Sequence, residues 1–315
     1  MNRKAIIFGI KGYSLTSKEK KFFQHSKPWG IILFSRNIKN IYQLKSLVYE
    51  IKEIFLDKKF PILIDQEGGK VSRLNKIIDL SYFSQKLFGN LYKNDKKLFF
   101  KFYKIYIDSV SDILSSVGIN INTVPVLDVY RKKSHKIIDN RSFSSSPDVV
   151  TKIGKLCIKH FEKKKIATVF KHIPGHGLSS SDSHFKTPIV KATKKSLMAK
   201  DFKPFRLCKS IFAMTAHIIY SQYDPTNPAT HSKNIIKNVI RNHIKFKGIL
   251  ISDDISMKSL KYTIEENAIK ALNAGCNLVL HCNANINEMQ RISKVIPKID
   301  YFTFKKTSLF RDFLG

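Results

Sequence analysis

The chain has 315 residues, 43% of them hydrophobic, and a formal net charge of +32. This length allows one large α/β barrel domain or two smaller domains, and the hydrophobic content excludes a globally disordered protein. No apolar stretch in the sequence approaches the ~18 residues of a membrane span. The four cysteines form no CxxC pair, which argues against a zinc site and a disulfide framework, and we expect reduced thiols in a cytoplasmic protein.

The positive charge is distributed along the whole chain. Lysines recur in short groups, such as residues 18–21 and 163–165, and they do not form one tail or block. A nucleic acid or an anionic membrane is the partner that such a charge suggests. The scattered pattern instead favours a solvated surface, so we expect no specific nucleic acid and no membrane as a partner.

Short apolar runs rich in β-branched residues recur along the chain and are candidate strands. They are residues 5–10, 30–34, 61–64, 119–127, 166–170, 211–216, 248–251 and 277–280. Continuous apolar runs are typical of strands buried on both faces of a parallel sheet. The first run follows two basic residues, but it is too short for a typical signal peptide, and we interpret it as the first strand.

Amphipathic helical patterns lie between these runs. They cover residues 39–55, 95–117, 147–161, 196–208, 232–244, 263–273 and 286–295. Because strand and helix alternate without a compositional break, we predict a single domain over residues 1–315, a (β/α)8 TIM barrel. The tail, residues 298–315, is predicted to pack on the barrel as a last amphipathic helix. A doubly wound open sheet is the alternative, but no GxGxxG motif follows any predicted strand.

Polar side chains directly follow seven of the predicted strands. They are Ser35-Arg36-Asn37, Asp65-Gln66-Glu67, Asp128, Lys171-His172, His217, Ser252-Asp253-Asp254 and His281-Cys282-Asn283. In a (β/α)8 barrel the active site lies at the carboxyl ends of the strands. We therefore expect these residues to share one polar pocket.

Two carboxylates, Asp253 and Asp254, end the predicted seventh strand. One of them is interpreted as the N-cap of the next helix. The other is expected to point into the mouth of the barrel, where a carboxylate acts as a nucleophile or stabilises a cationic centre.

A loop rich in Pro, Gly and Ser brings a second acid/base pair. Asp182 and His184 are separated by one residue, so in an extended loop they face the same side. The carboxylate then holds one imidazole nitrogen, and the other nitrogen is available to move a proton. His172 and His176 have an i, i+4 spacing that suits metal ligands on a helix, but the intervening Pro174-Gly175 opposes a helix there, so we expect no metal.

The predicted rim of the barrel also carries acceptors and forked donors, which suit a hydroxylated substrate. These residues are Asp65, Arg73, Arg141 and Lys171. A carboxylate, a His–Asp pair and a hydroxyl-binding rim together indicate glycoside cleavage, in which two carboxylates usually do the work. This chemistry needs no cofactor.

At these residues the sequence resembles the family 3 glycoside hydrolases, and specifically the β-N-acetylhexosaminidases of bacterial cell-wall recycling. The matching motifs are GIILFSRN (30–37), IDQEGG (64–69) with Arg73, PVLD (125–128), NRSF (140–143), KHIPGHG (171–177), DSH (182–184), AH (216–217) and SDDISM (252–257). They run in the family's order over residues 5–290. The resemblance implies a TIM barrel and a retaining mechanism.

The resemblance also implies roles for single residues. Asp253 matches the family's nucleophile, His184 its acid/base and Asp182 the partner of that histidine. The residues that match those holding N-acetylglucosamine are Asp65, Arg73, Arg141, Lys171 and His172. The implied substrate is a muropeptide, N-acetylglucosamine linked β-1,4 to 1,6-anhydro-N-acetylmuramic acid, and we expect a cytoplasmic monomer.

Three alternatives remain open from the sequence. A glycoside phosphorylase is one, because a neutral histidine repels an incoming phosphate less than a carboxylate does. A metal hydrolase is the second. A basic nucleic-acid-binding protein is the third and belongs to a different class, but it leaves the residues at the strand ends without a role.

Overall fold

The computed structural model describes residues 2–131, 136–179 and 186–315. Its strands are β1 (Lys4–Gly9), β2 (Pro28–Leu33), β3 (Ile62–Ile64), β4 (Ile121–Asn122), β5 (Ala167–Ile173), β6 (Ile189–Val190), β7 (Phe212–Thr215), β8 (Ile219–Tyr220), β9 (Ile249–Asp254) and β10 (Leu278–His281). Eight of them close into a barrel in the order β1-β10-β9-β7-β5-β4-β3-β2, and β6 pairs with β8 in a separate parallel sheet. The neighbouring barrel strands are parallel, so the predicted (β/α)8 barrel is confirmed.

Helices surround the barrel. They are α1 (Ser17–Ser26), α2 (Ile41–Ile54), α3 (Gln85–Asn94), α4 (Lys96–Val117), α5 (Lys136–Asp139), α6 (Pro147–Lys163), α7 (Lys194–Ser196), α8 (Lys203–Leu207), α9 (Ile264–Ala274), α10 (Ile286–Val295) and α11 (Tyr301–Leu314), with π-helical segments at Leu197–Asp201 and Ile235–His243. Each helix predicted from periodicity overlaps one of these elements. None of the helices in the described ranges is both long and apolar enough to cross a membrane.

Helices α1 and α3 were not predicted from the sequence. Helix α1 has few apolar residues, and its clearest signal is a capping box in which Thr16 and Glu19 satisfy each other's backbone N–H groups. Helix α3 begins after Ser84, whose hydroxyl accepts from the N–H of Leu87. Helix α1 is thus marked by its cap and not by an apolar stripe. Helix α3 does carry a stripe, at Phe88, Leu91 and Tyr92, but it has only ten residues, so the periodic pattern is short.

The predicted fourth strand is longer than the observed one. Regular pairing covers only Ile121–Asn122, because Pro125 has no N–H to donate to a ladder. The chain nevertheless continues alongside β5. Leu127 N–H donates to the carbonyl of Lys171 at 2.8 Å, and Lys171 N–H donates to the carbonyl of Pro125 at 3.0 Å. This pairing carries Asp128 to the carboxyl end of β5.

Helix α11 lies across the amino ends of the barrel strands. Trp29, near the start of β2, donates its indole N–H to the hydroxyl of Thr307 at 2.9 Å. The ring of Phe310 packs against Trp29 and against Phe212, the first residue of β7, with a centroid distance of 5.4 Å to the latter. Burying these large aromatic side chains closes the amino end of the barrel, so the opposite end is the one open to a substrate.

Candidate active site

A cavity opens among the carboxyl ends of the strands, and its lining includes six of the eight predicted site residues. These six are Asp65, Arg73, Arg141, Lys171, His172 and Asp253. The two others, Asp182 and His184, lie outside the described residues. The polar pocket expected from the strand ends is therefore present, with apolar walls supplied by residues such as Phe34, Met214 and Met257.

Asp65, which directly follows β3, is held by three neighbours. Arg73 binds its Oδ2 at 2.7 Å, Thr123 donates its hydroxyl to Oδ1 at 2.6 Å, and the ammonium of Lys171 also contacts Oδ1. Burial favours the neutral acid, but the charges of Lys171 and Arg73 outweigh burial, so the pKa of Asp65 lies far below its ordinary value. Asp65 is therefore an ionised acceptor held in a fixed position on the cavity wall.

Glu67 is the buried counter-charge of two cationic site residues. Its side chain is fully buried, and Arg141 binds both carboxylate oxygens at 2.8 Å. Lys171 binds Oε1 at 2.6 Å. Burial raises the pKa of Glu67, but Arg141 and Lys171 lower it more strongly, and the net pKa is below the ordinary value. Breaking such a buried pair costs about 3–5 kcal/mol, so Glu67 fixes the two cations that line the cavity.

Asp128 performs the corresponding task for His172. The carboxylate is fully buried, and its Oδ2 lies 2.7 Å from Nδ1 of His172. The Nε2 on the other side of the ring lies 3.3 Å from a guanidinium nitrogen of Arg141. Glu67 and Asp128 thus hold the cavity-lining side chains of Arg141, Lys171 and His172 from behind.

Asp253 is half-buried at the end of β9. The N–H of Asp254 donates to its Oδ1 at 2.8 Å, and its Oδ2 accepts no hydrogen bond from any residue in the described ranges. Burial raises the pKa of Asp253, but the imidazoles of His217 and His172, the N–H of Asp254 and Lys171 together lower it below the ordinary value. The carboxylate is ionised at neutral pH, with one oxygen anchored and the other available to a reacting atom.

The interpretation of one of the two aspartates as a helix N-cap is wrong. Asp254 accepts from the N–H of Ser256 at 3.1 Å, from its hydroxyl at 2.7 Å, and from the N–H of Cys282 at 3.1 Å. It closes a turn and ties β9 to the end of β10. The following helix, α9, is capped instead by Thr263.

Several residues at the strand ends support the pocket without lining it. Buried His217 contacts the hydroxyl of Thr230 at 2.7 Å through Nδ1 and the carbonyl of Asp254 at 3.0 Å through Nε2. A carbonyl only accepts, so Nε2 carries the proton. Arg36 donates to the carbonyls of Ile10 and Cys282. These contacts fix the carboxyl ends of β9, β1 and β10.

The structure also bears on the metal alternative. The imidazole rings of His172 and His176 meet edge to face with centroids 5.4 Å apart, and Lys171–Ile173 belongs to strand β5 and not to a helix. Within the described parts of the chain, no three His, Cys, Asp or Glu side chains are grouped as metal ligands.

Buried His231 is expected to make the stability of the protein depend on pH. It is buried and donates from Nε2 to the carbonyl of Asn267 at 3.1 Å, and burial lowers its pKa from 6.5 to about 4. Below pH 6.5 the unfolded chain binds a proton there and the folded chain does not, so stability is lost as pH falls towards 4. For one such group the loss at pH 5 is about 2 kcal/mol. We expect His231→Gln, whose amide can still donate, to shrink the drop in unfolding free energy between pH 8 and pH 5 by about that amount. Urea unfolding at the two pH values measures this drop. A drop of the same size in the variant and the wild type would contradict a lowered pKa of His231.

Comparison with known proteins places the chain in a family. The sequence matches the glycosyl hydrolase family 3 N terminal domain over residues 8–304. It is 32% identical over 302 residues to a beta-hexosaminidase of Actinobacillus pleuropneumoniae, covering 94% of this chain and 85% of that protein. It is 33% identical over 305 residues to a beta-hexosaminidase of Psychromonas ingrahamii, covering 94% and 88%.

A solved structure with a similar fold supports the same family. NagZ from Neisseria gonorrhoeae in complex with N-trifluoroacetyl-D-glucosamine superposes with a TM-score of 0.87 at 30% sequence identity, over 98% of this chain and 90% of that one. The family match spans nearly the whole barrel, including every described residue of the cavity. The chain therefore belongs to glycosyl hydrolase family 3 and is a glycoside hydrolase.

Proposed function

We propose that this glycoside hydrolase is a retaining β-N-acetylhexosaminidase that removes a terminal N-acetylglucosamine. The observation that carries the proposal is Asp253, an ionised carboxylate in a cavity lined by polar side chains, with one oxygen that accepts no hydrogen bond from the described residues. Two relatives bear the name beta-hexosaminidase, and the superposed Neisseria structure holds an N-acylated glucosamine. Both support N-acetylglucosamine as the sugar in the cavity.

The sugar-binding roles follow from the chemistry of the lining. Asp65 is an ionised acceptor, and Arg73, Lys171 and Arg141 are donors whose charges are balanced by carboxylates. His172 adds a ring nitrogen at the same wall. Paired acceptors and forked donors hold adjacent hydroxyl groups in a fixed orientation. Such a wall binds one sugar ring with its anomeric carbon towards Asp253.

The proposed reaction has two displacement steps. Asp253 attacks the anomeric carbon as the bond to the leaving oxygen breaks, and His184 gives that oxygen its proton. His184 then takes a proton from water, and the water oxygen attacks the anomeric carbon and releases Asp253. Asp182 holds the imidazole in the tautomer that these transfers need. Two inversions at one carbon retain the β configuration.

The sugar preference is testable with a matched pair of aryl glycosides. We expect kcat/KM for 4-nitrophenyl N-acetyl-β-glucosaminide to exceed that for 4-nitrophenyl β-glucoside by about 10²-fold or more, because hydrogen-bonding sites reject analogues that lack a partner group. Equal or higher efficiency on the glucoside would contradict the proposed substrate.

The acceptor is tested in the same assay. With inorganic phosphate added, a hydrolase releases only N-acetylglucosamine, whereas a phosphorylase releases the sugar 1-phosphate. Proton NMR of the products separates the two and also reports the anomeric configuration at early times. If sugar 1-phosphate were the main product, the enzyme would be a phosphorylase and the proposed hydrolysis would be wrong.

The natural substrate we propose is a muropeptide in cytoplasmic cell-wall recycling, acted on by a monomer. The bond to be cut joins N-acetylglucosamine β-1,4 to 1,6-anhydro-N-acetylmuramic acid. Incubation with one defined muropeptide and mass spectrometry of the products tests this directly. If the enzyme released no anhydro sugar but remained active on the aryl glycoside, the proposed muropeptide substrate would be wrong and the proposed hexosaminidase activity would stand.

A further inference from the structure

Asp128 makes three hydrogen bonds that link two parts of the candidate site. Its Oδ2 lies 2.7 Å from His172 Nδ1, and its Oδ1 accepts from the N–H of His176 at 2.6 Å and from the N–H of His172 at 3.3 Å. The carboxylate is fully buried. A buried carboxylate with three donors is a rigid fixed point.

The contacts of His172 select one tautomer of its ring. Burial raises the pKa of Asp128, but the hydrogen bonds that it accepts from His172 and His176 lower it more, so the carboxylate is ionised and only accepts. Nδ1 must therefore carry a proton. Arg141 only donates, so Nε2, at 3.3 Å from its guanidinium, must accept. Both contacts require the neutral ring with its proton on Nδ1.

The other oxygen of Asp128 anchors the start of the chain segment that leads to His184. The N–H of His176 binds it, and Gly177 packs so closely on Val129 that an added Cβ would lie 1.9 Å from the Val129 carbonyl. The hydroxyl of Tyr220 donates to the carbonyl of Gly175. The segment is thus fixed to residues 128–129 eight positions before His184.

We propose that Asp128 is a positioning residue that sets the tautomer of His172 and anchors the backbone at His176, from which the chain runs on to His184, the acid/base residue of the proposed function. His172 Nε2 then carries a lone pair and no proton, so it holds the guanidinium of Arg141 at the cavity wall and donates to no substrate hydroxyl. The inference rests on the proposed function for the identity of the sugar and for the role of His184, but the tautomer is a property of the protein alone.

Asp128→Asn is the variant that tests the tautomer. In this variant the backbone N–H groups of His172 and His176 still donate to the side-chain oxygen at position 128. The amide nitrogen therefore faces His172 Nδ1 and donates to it. The ring proton then moves to Nε2, where it meets the donor of Arg141. We expect the affinity for N-acetylglucosamine, measured by calorimetry, to fall about 10- to 100-fold, the range for a hydrogen bond to a charged group.

Nitrogen-15 NMR reads the tautomer without substrate. The chain has ten histidines, and the His172 signals are identified by their loss in His172→Gln. We expect the wild type to show the proton on Nδ1 and Asp128→Asn to show it on Nε2. Asp201→Asn is the matched control, because Asp201 is equally buried but pairs with Arg131 at 2.6 Å; it should leave the His172 signals unchanged.

The anchoring half has its own readout. If the segment leading to His184 shifts in Asp128→Asn, kcat/KM falls further for a glycoside with a poor leaving group than for one with a good leaving group. Equal losses of kcat/KM on both substrates would contradict the anchoring role of Asp128. A wild-type His172 with its proton on Nε2 would overturn the tautomer assignment even if the variant failed to fold. If wild-type enzyme binds no N-acetylglucosamine, the proposed function fails, while the NMR result still decides the tautomer.

Discussion

The Asp253→Ala variant is expected to fold normally and to lose at least about 10³-fold in kcat, because removing a nucleophile removes the covalent path itself. Normal folding follows from its contacts, since its carboxylate accepts only the N–H of the adjacent Asp254 from the described residues. Initial rates on 4-nitrophenyl N-acetyl-β-glucosaminide measure the loss, and a urea unfolding curve checks the fold. Wild-type activity in the variant would remove Asp253 from the mechanism.

A small anion provides the matched control for this loss. Azide fits the space left by the Asp253 carboxylate and attacks the anomeric carbon from the same side, while the aryl oxide leaves. One inversion gives the α-glycosyl azide, and proton NMR identifies that configuration. If azide restored activity but gave the β product, the substituted residue would lie on the opposite face of the sugar and would not be the nucleophile.

The second large effect is expected at His184. His184→Ala should lower kcat/KM about 10²- to 10⁴-fold on a sugar or alkyl leaving group, the usual range for general acid catalysis. On a 2,4-dinitrophenyl glycoside the leaving oxide needs no proton, and kcat/KM should stay within about tenfold of wild type, because this ratio reports the first step. Asp182→Asn should show the same pattern with a smaller loss.

Breakdown of the intermediate gives a second signature for His184. Without the base, water attacks slowly, so in His184→Ala both kcat and KM for the dinitrophenyl substrate should fall together as the intermediate accumulates. Added azide, which needs no base, should restore kcat and yield the β-glycosyl azide. Equal losses for good and poor leaving groups would contradict the acid/base role.

The barrel was predictable because parallel strands buried on both faces leave continuous apolar runs in the sequence. All eight runs overlap barrel strands, whereas the short β6–β8 sheet has only two residues in each strand and no such signal. The fourth strand was predicted too long because its apolar run was followed through Pro125, although a proline cannot donate to the ladder and so indicates that regular pairing ends before it. Apolar composition marks a buried strand but does not mark where its hydrogen-bond ladder stops.

The cavity-lining residues were predictable for a different reason. In a (β/α)8 barrel, residues at the carboxyl ends of strands converge whatever their distance in sequence, and six predicted residues do line one cavity. Glu67 and Asp128 were visible at strand ends but were assigned no role. The signal for them is charge balance: Arg141 and Lys171, once buried, need carboxylate partners. Burial depends on tertiary packing, so spacing alone could not choose which carboxylates would serve.

Trapping the glycosyl-enzyme is the most direct test of Asp253 as nucleophile. An N-acetylglucosaminyl fluoride with a second fluorine at C5 carries a good leaving group but slows the second step, so the covalent species accumulates. Trypsin should release residues 248–258, since Lys247 and Lys258 flank them, and fragmentation separates Asp253 from Asp254. We predict one sugar on Asp253. A sugar on Asp254 or on another peptide, or turnover of the reagent with no covalent species at any time, would contradict the mechanism.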